Sequence, residues 1–321
     1  MNMKYLAGLR LAALGGFSLV FGGAQNAPLV AAPRPMKSDH AHGGAGHDVA
    51  GGHTHTTKLL FSSQPTRITA GKVAKWTLKV VDDIDNAPIS DFKVVHDKLL
   101  HLIIVSKDMR WFNHLHPRHK GKGVFELEAI LPRAGRYKLY ADYHPKEREA
   151  EVAQHELTVA GPRPRGAQPG LVADRLRGGW MTKIVRSAIE GKPDTPTGPA
   201  YQVGLMPMPA GIEAGEDVML HFRVRDARGK PVKLEPYLGA MGHLVLLSAD
   251  SNTYLHTHPL DGSHNMAGMS HGALPKSGAD VMFHTKFPRA GLYKAWGQFK
   301  HGGKIITAPF VLKVGGAATG K

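Results

Sequence analysis

The chain has no cysteine among its 321 residues. That absence excludes disulfides, thiolate zinc sites, iron–sulfur clusters and blue-copper electron transfer, all of which need cysteine sulfur. It also leaves no lipoprotein attachment point after the N-terminal apolar run. Beyond that run, no segment approaches the ~20 apolar residues of a membrane-spanning helix. Catalytic signatures are missing as well: there is no Ser-His-Asp pattern, phosphate-binding loop or H-E-x-x-H. No nucleic-acid motif or aromatic-interleaved basic stripe is present, so the net charge of +15 reads as a solvated basic surface.

With 42% hydrophobic and 21% charged residues, most of the chain should fold. The N-terminus has the form of a secretory signal. Lys4 and Arg10 give a positive start, Leu11 to Val20 a short apolar core, and Gly22-Gly23-Ala24 a small-residue cleavage site. Cleavage after Ala24 would remove two cations and take the charge from +15 to +13. The expectation is a periplasmic or secreted protein with no stable membrane span once the signal is removed. The uncleaved run acting as an anchor is the alternative.

An internal duplication organises the rest. The first copy carries A-G-K-V from Ala70, H-L-I-I-V-S from His101, H-L-H-P from His114 and P-R-A-G-R-Y-K from Pro132. The second repeats them in order: A-G-E-D-V from Ala214, H-L-V-L-L-S from His243, H-T-H-P from His256 and P-R-A-G-L-Y-K from Pro288. The expected organisation is a signal peptide (1–24), a Gly/His/Ala tail (25–57), a first domain (58–160), a linker (161–199), a second domain (200–315) and a short C-terminal tail (316–321). The tail should be flexible and holds His40, His42, His47, His53 and His55. Within the linker, Trp180 to Ile189 is expected to form a short helix. Inside each copy, short β-branched and aromatic runs separated by turn residues predict strands. W-T-L-K-V-V, F-E-L-E-A-I and Y-K-L-Y-A-D-Y are examples. About seven strands per hundred residues gives an all-β fold, two tandem immunoglobulin-like or cupredoxin-like Greek-key sandwiches. The A-G-x-Y step fits the tyrosine found near a strand start in such folds.

Histidine spacing supplies the candidate site. A two-residue turn at Lys107-Asp108 would pair Ser106 with Met109 and set His101 directly opposite His114. A turn at Ala249-Asp250 would do the same for His243 and His256. His116 and His258, two positions along, share the same sheet face. Each copy then offers three imidazoles on one patch: His101, His114 and His116, and His243, His256 and His258. Such a trio suits copper, zinc or nickel and does not select among them. The competing reading is that these rings hydrogen-bond backbone and organise the loops before Pro117 and Pro259. His96 could join the first trio; its counterpart in the second copy is Leu238. Met241 could add a thioether to the second trio. Ligand imidazoles must be deprotonated, so binding is expected to weaken as pH falls through about 6.5.

The second copy carries an insertion, D-G-S-H-N-M-A-G-M-S-H-G, with His264, Met266, Met269 and His271. Thioether plus imidazole suits Cu(I) and Cu(II) and disfavours Mg or Ca. Ser263 to His271 resembles the Met/His repeats of bacterial periplasmic copper-resistance proteins. The repeated H-L-[IV]-[IL]-[VL]-S, H-x-H-P and P-R-A-G-x-Y pattern looks like exported bacterial β-sandwich proteins associated with heavy-metal handling. These resemblances imply copper capture, buffering or delivery outside the cytoplasm, with zinc as the alternative ion and another copper-handling protein as a partner. Two other readings stay open. One is a structural or adhesion module whose histidines only organise loops. The other is a three-histidine metalloenzyme, which lacks a Glu or Asp general base beside either H-x-H-P.

Overall fold

The computed structural model describes residues 57–162, 170–193, 196–259 and 278–316, all-β and without an α-helix among them. The first copy contributes β1 (Thr57–Gln64), β2 (Val73–Asp82), β3 (Leu100–Ser106), β4 (Phe112–Leu115), β5 (Arg118–Gly121), β6 (Val124–Ile130), β7 (Gly135–Tyr143) and β8 (Glu151–Val159). They form two four-stranded sheets, ordered β1-β2-β6-β5 and β4-β3-β7-β8. From the second copy and the segment before it come β9 (Met181–Arg186), β10 (Ala200–Met208), β11 (Ile212–Glu213), β12 (Asp217–Asp226), β13 (His243–Ser248), β14 (Tyr254–Thr257), β15 (Asp280–Lys286), β16 (Gly291–His301) and β17 (Lys304–Gly315). Their sheets run β15-β12-β10-β9 and β11-β17-β16-β13-β14. The chain is thus a tandem pair of β-sandwiches.

Each sandwich closes on its own core. Trp76, Leu78, Leu102, Ile104, Phe125 and Leu139 fill the first. Leu220, Phe222, Leu244, Leu246, Phe283 and Phe310 fill the second. The repeated tyrosine marks the same corner in both: Tyr137 donates its hydroxyl to the Arg133 carbonyl at 2.9 Å, and Tyr293 to the Arg289 carbonyl at 3.0 Å. The stretch expected as a helix at Trp180 to Ile189 is instead strand β9, paired antiparallel with β10 from Met181 to Arg186. Its short alternation of Met181, Lys183 and Val185 matches a strand at a sheet edge, where the free edge of β10 supplies backbone partners that an isolated helix would lack.

The runs H-L-I-I-V-S and H-L-V-L-L-S are apolar at all four positions between the histidine and the serine because both faces of β3 and β13 are covered. Even-numbered side chains of these strands, Leu102, Ile104, Leu244 and Leu246, enter their own cores. The odd-numbered Ile103, Val105, Val245 and Leu247 point the other way, into a third cluster that joins the two sandwiches. Phe112 stacks on Trp296 with centroids 4.8 Å apart, and Tyr140 on Tyr254 at 5.0 Å. Phe112 and Tyr254 occupy equivalent places in the two copies, as do Tyr140 and Trp296. The contacts are therefore reciprocal, as across an approximate twofold axis.

The hairpins differ in register from the spacing-based expectation. Ile103, not His101, pairs with His114, and Val245 pairs with His256. The loops are four residues long rather than two. Ser106 N–H donates to the Trp111 carbonyl at 3.0 Å and Met109 N–H to the Ser106 carbonyl at 2.7 Å, with Met109 at φ 54°. The second copy repeats this with Ser248, Thr253 and Ser251, the last at φ 62°. Asp108 and Asp250 hold the turns by accepting from the Ser106 and Ser248 hydroxyls. A left-handed non-glycine residue costs about 1–2 kcal/mol, and at Met109 burial in the inter-sandwich cluster offsets it. The slip is two residues, an even number, so the histidines stay on the intended face.

Trp296 is 3% exposed and stacked at the centre of the joining cluster. Trp296→Ala should lower unfolding stability by about 3–5 kcal/mol, read by urea denaturation followed by circular dichroism. A loss under about 1 kcal/mol would mean that this contact does not hold the sandwiches together.

Candidate metal centre

Strand alternation and register bring each set of three histidines together. His101 and His243 begin the rows of β3 and β13 that face the other sandwich, in line with Ile103 and Val245. His114 and His116 flank Leu115 at the end of β4, and His256 and His258 flank Thr257 at the end of β14, so each pair shares one face. Continuing the observed register by one step sets His101 across from His116, and His243 across from His258. One donor atom from each of His101, His114 and His116 lies within 4.8 Å of the others, and the same holds for His243, His256 and His258. His101, His114, His243 and His256 are buried; His116 and His258 are partly so.

Hydrogen bonds assign the ring tautomers. His101 donates Nε2–H to the Val95 carbonyl at 2.9 Å, leaving the Nδ1 lone pair facing inward. His114 donates Nδ1–H to Gln298 Oε1 at 2.9 Å, leaving Nε2. His116 directs Nδ1 at Glu190 Oε1, 3.6 Å away, again leaving Nε2. The three inward nitrogens crowd one point: His101 Nδ1 stands 3.0 Å from His114 Nε2, which stands 3.2 Å from His116 Nε2. With the His101 and His114 protons committed outward, the inward nitrogens of these two rings set lone pair against lone pair, an arrangement that a shared cation relieves. At metal–nitrogen bonds of about 2.0–2.1 Å, two nitrogens of a tetrahedral ion sit roughly 3.3–3.4 Å apart, close to these spacings.

The second set repeats the pattern at two of its three rings. His243 donates Nε2–H to the Tyr237 carbonyl at 2.8 Å, and His256 donates Nδ1–H to Asp142 Oδ2 at 3.0 Å. His243 Nδ1, His256 Nε2 and His258 Nε2 are buried and have no hydrogen-bond partner. They are the same three ring positions that converge in the first set. Buried polar atoms are rarely left unpaired, and here three of them share one neighbourhood.

Burial favours the neutral, ligand-competent form of His101, His114, His116, His243 and His258. It takes His101 from its ordinary 6.5 down to about 3, helped by the positive charge that His256 would carry if protonated. Burial likewise holds His114 and His243 well below the usual range, and lowers His116 and His258. Glu190 is held low, chiefly by its interaction with His116. Proton competition at these rings therefore falls at more acid pH than the 6.5 of a free imidazole.

Several contributors were invisible to motif reading. The carbonyls of Val95 and Tyr237 belong to equivalent tight turns with two successive left-handed residues, His96 and Asp97 in one and Leu238 and Gly239 in the other. Asp142 and Gln298 orient histidines of the opposite sandwich. Both lie ten residues after the proline of P-R-A-G, so the duplication itself could have flagged them. Glu190 comes from the segment between the copies, next to the bridge of Ala188 with Ile305, and no local signal marks it. His96, placed by spacing with the first trio, instead stacks on His258 with centroids 3.3 Å apart and lies edge-on to His243 at 5.8 Å. Met241 is 37% exposed just ahead of β13. His264, Met266, Met269 and His271, like the tail histidines, lie outside the described residues.

The fold and this geometry define a class: a tandem β-sandwich protein with a buried histidine triad in each half. The chain belongs to the family described as Domain of unknown function (DUF8832), whose model matches residues 54–161 and 197–316, one stretch over each sandwich. No curated protein matches it. Among solved structures it is similar to the Escherichia coli adhesin FdeC at 18% identity and a TM-score of 0.23, covering 81% of this chain and 64% of that one. A tandem pair of titin immunoglobulin domains matches at 10% identity and 0.19, covering 82% and 98%. MtrC from Shewanella baltica matches at 7% and 0.22, covering 83% and 70%. The chain thus spans under two thirds of the adhesin chain, and scores this low carry nothing to its function.

The lowered histidine values set the acid stability of the metal-free protein. A ring neutral in the fold but protonated when unfolded adds nothing against folding above 6.5. It weakens folding as pH drops from 6.5 toward the folded value, about 3 for His101. Stability measured in chelator-treated protein should therefore decline from about pH 6.5 downward, and His101→Gln should flatten that decline. A wild-type profile level from pH 7 to 4 would contradict the neutral, buried cluster.

Proposed function

We propose that the protein is an extracytoplasmic metal-binding protein that captures, buffers or delivers copper, each triad holding one ion. The observation that carries this reading is the convergence of three ring nitrogens in each sandwich on one point. In five of the six rings the other nitrogen is engaged, by Val95, Gln298, Glu190, Tyr237 or Asp142. A histidine whose second nitrogen is held by a carbonyl or carboxylate is the usual form of a metal-bound imidazole. Neutral imidazoles suit copper and zinc. Copper is preferred because Ser263 to His271, which follows His258 in the same chain, adds thioether donors; zinc is the alternative. The N-terminal signal-like segment supports a periplasmic or secreted location, and delivery would require a second copper-handling protein.

A structural or adhesion role, in which the histidines only tie the two sandwiches together, is the competing reading. Titration of the purified protein with Cu(II), Cu(I) and Zn(II) by calorimetry separates the two. The expected result is copper binding tighter than that of a peptide spanning residues 38–57, weakened about 10–100-fold by Asp142→Asn. Unchanged affinity and stoichiometry in the His114→Ala/His256→Ala double variant would leave the structural reading standing.

A further inference from the structure

The two triads are not separate places. Within the first, ring centroids lie 5.2, 5.1 and 4.6 Å apart. Within the second they lie 5.7, 4.7 and 4.6 Å apart. Across the boundary between the sandwiches the distances are hardly larger: His101 to His256 is 5.3 Å, His114 to His256 5.5 Å, His114 to His243 5.8 Å and His101 to His243 6.2 Å. Six imidazoles form one continuous cluster where β3 and β4 meet β13 and β14. Each half is completed by the other: Gln298 on β16 orients His114, and Asp142 on β7 orients His256.

We infer that the six histidines form a single dinuclear centre, built across the inter-sandwich boundary, that takes two transition-metal ions of the copper or zinc type side by side. This rests on the metal-binding reading above and adds that the ions are neighbours acting on one another. Two sets of three converging nitrogens give two ion positions, and the short cross-boundary ring distances leave those positions only a few ångströms apart. Two-metal sites have ions about 3.5–4 Å apart. Two dications that close repel strongly in a dry site, so the pair needs negative charge nearby. One carboxylate stands behind each half, Glu190 at His116 and Asp142 at His256. Six neutral ligands leave the rest of the charge to a small anionic oxygen ligand, such as hydroxide, shared between the ions.

The probe is Cu(II) with the full-length chain, in a background where the histidines of the tail and insertion (His40, His42, His47, His53, His55, His264 and His271) are replaced by alanine. Metal analysis and electron paramagnetic resonance are read together. The expected result is two copper ions per chain and a half-field transition, or loss of signal intensity, from coupled spins. His256→Ala and, separately, His116→Gln should each leave one ion with an ordinary isolated spectrum. Two ions giving the sum of two isolated spectra, or a single ion per chain, would overturn the dinuclear centre while leaving metal binding intact. No copper bound would remove both. The parent spectrum decides the matter even if either variant fails to fold.

Discussion

Packing of the outer faces of β3 and β13 against each other is the constraint on which the rest of this structure depends. A sandwich sheet ordinarily buries one face and wets the other, and its strands alternate accordingly. In these two strands the outward positions are Ile103, Val105, Val245 and Leu247, joined by Phe112, Tyr140, Tyr254 and Trp296. The apolar surface must be removed from water, and the duplicated sandwich offers the matching face. The histidines begin the same outward rows, one step beyond the apolar side chains. Hydrophobic contact between the two copies therefore brings the two triads together and removes them from solvent.

That placement has an electrostatic consequence. Several imidazoles cannot all be protonated in a small dry volume; burial and mutual repulsion both oppose it. The fold answers by giving outward ring protons carbonyl or side-chain acceptors, so that the remaining lone pairs point inward. Neutral rings with fixed tautomers are poor at stabilising a fold by themselves, since their inner nitrogens go unpaired, and well prepared to bind a soft or borderline cation. Chemistry and stability pull in opposite directions here, as they often do at functional sites.

Duplication supplied the symmetry and later divergence broke it. Asp142 and Gln298 are equivalent in position and differ in charge. His96 and Leu238 are equivalent turn residues, and only the first presents a ring, which reaches the other sandwich's triad. Glu190, from the segment joining the copies, serves one half alone. The two halves of the cluster therefore differ in basicity and surroundings although their histidines repeat at identical spacing.

Much was legible in the chain alone, for identifiable reasons. Period-two patterning and turn residues marked strands inside both copies, because side-chain alternation follows directly from backbone geometry, but they missed β9, the stretch expected as a helix. The repeated histidine spacing put three rings on one face, and that survived a two-residue error in hairpin register because parity, not register, selects the face. Absence of cysteine determined that any metal ligands would be imidazole, carboxylate or thioether. What sequence could not decide was the neighbour across each strand's second face. Whether the two sandwiches touch depends on long-range complementarity among Phe112, Trp296, Tyr140 and Tyr254, and no local pattern encodes it. For the same reason the roles of Asp142, Gln298 and Glu190 emerged only in three dimensions: a contact with a histidine far away in the chain is a property of the packed fold.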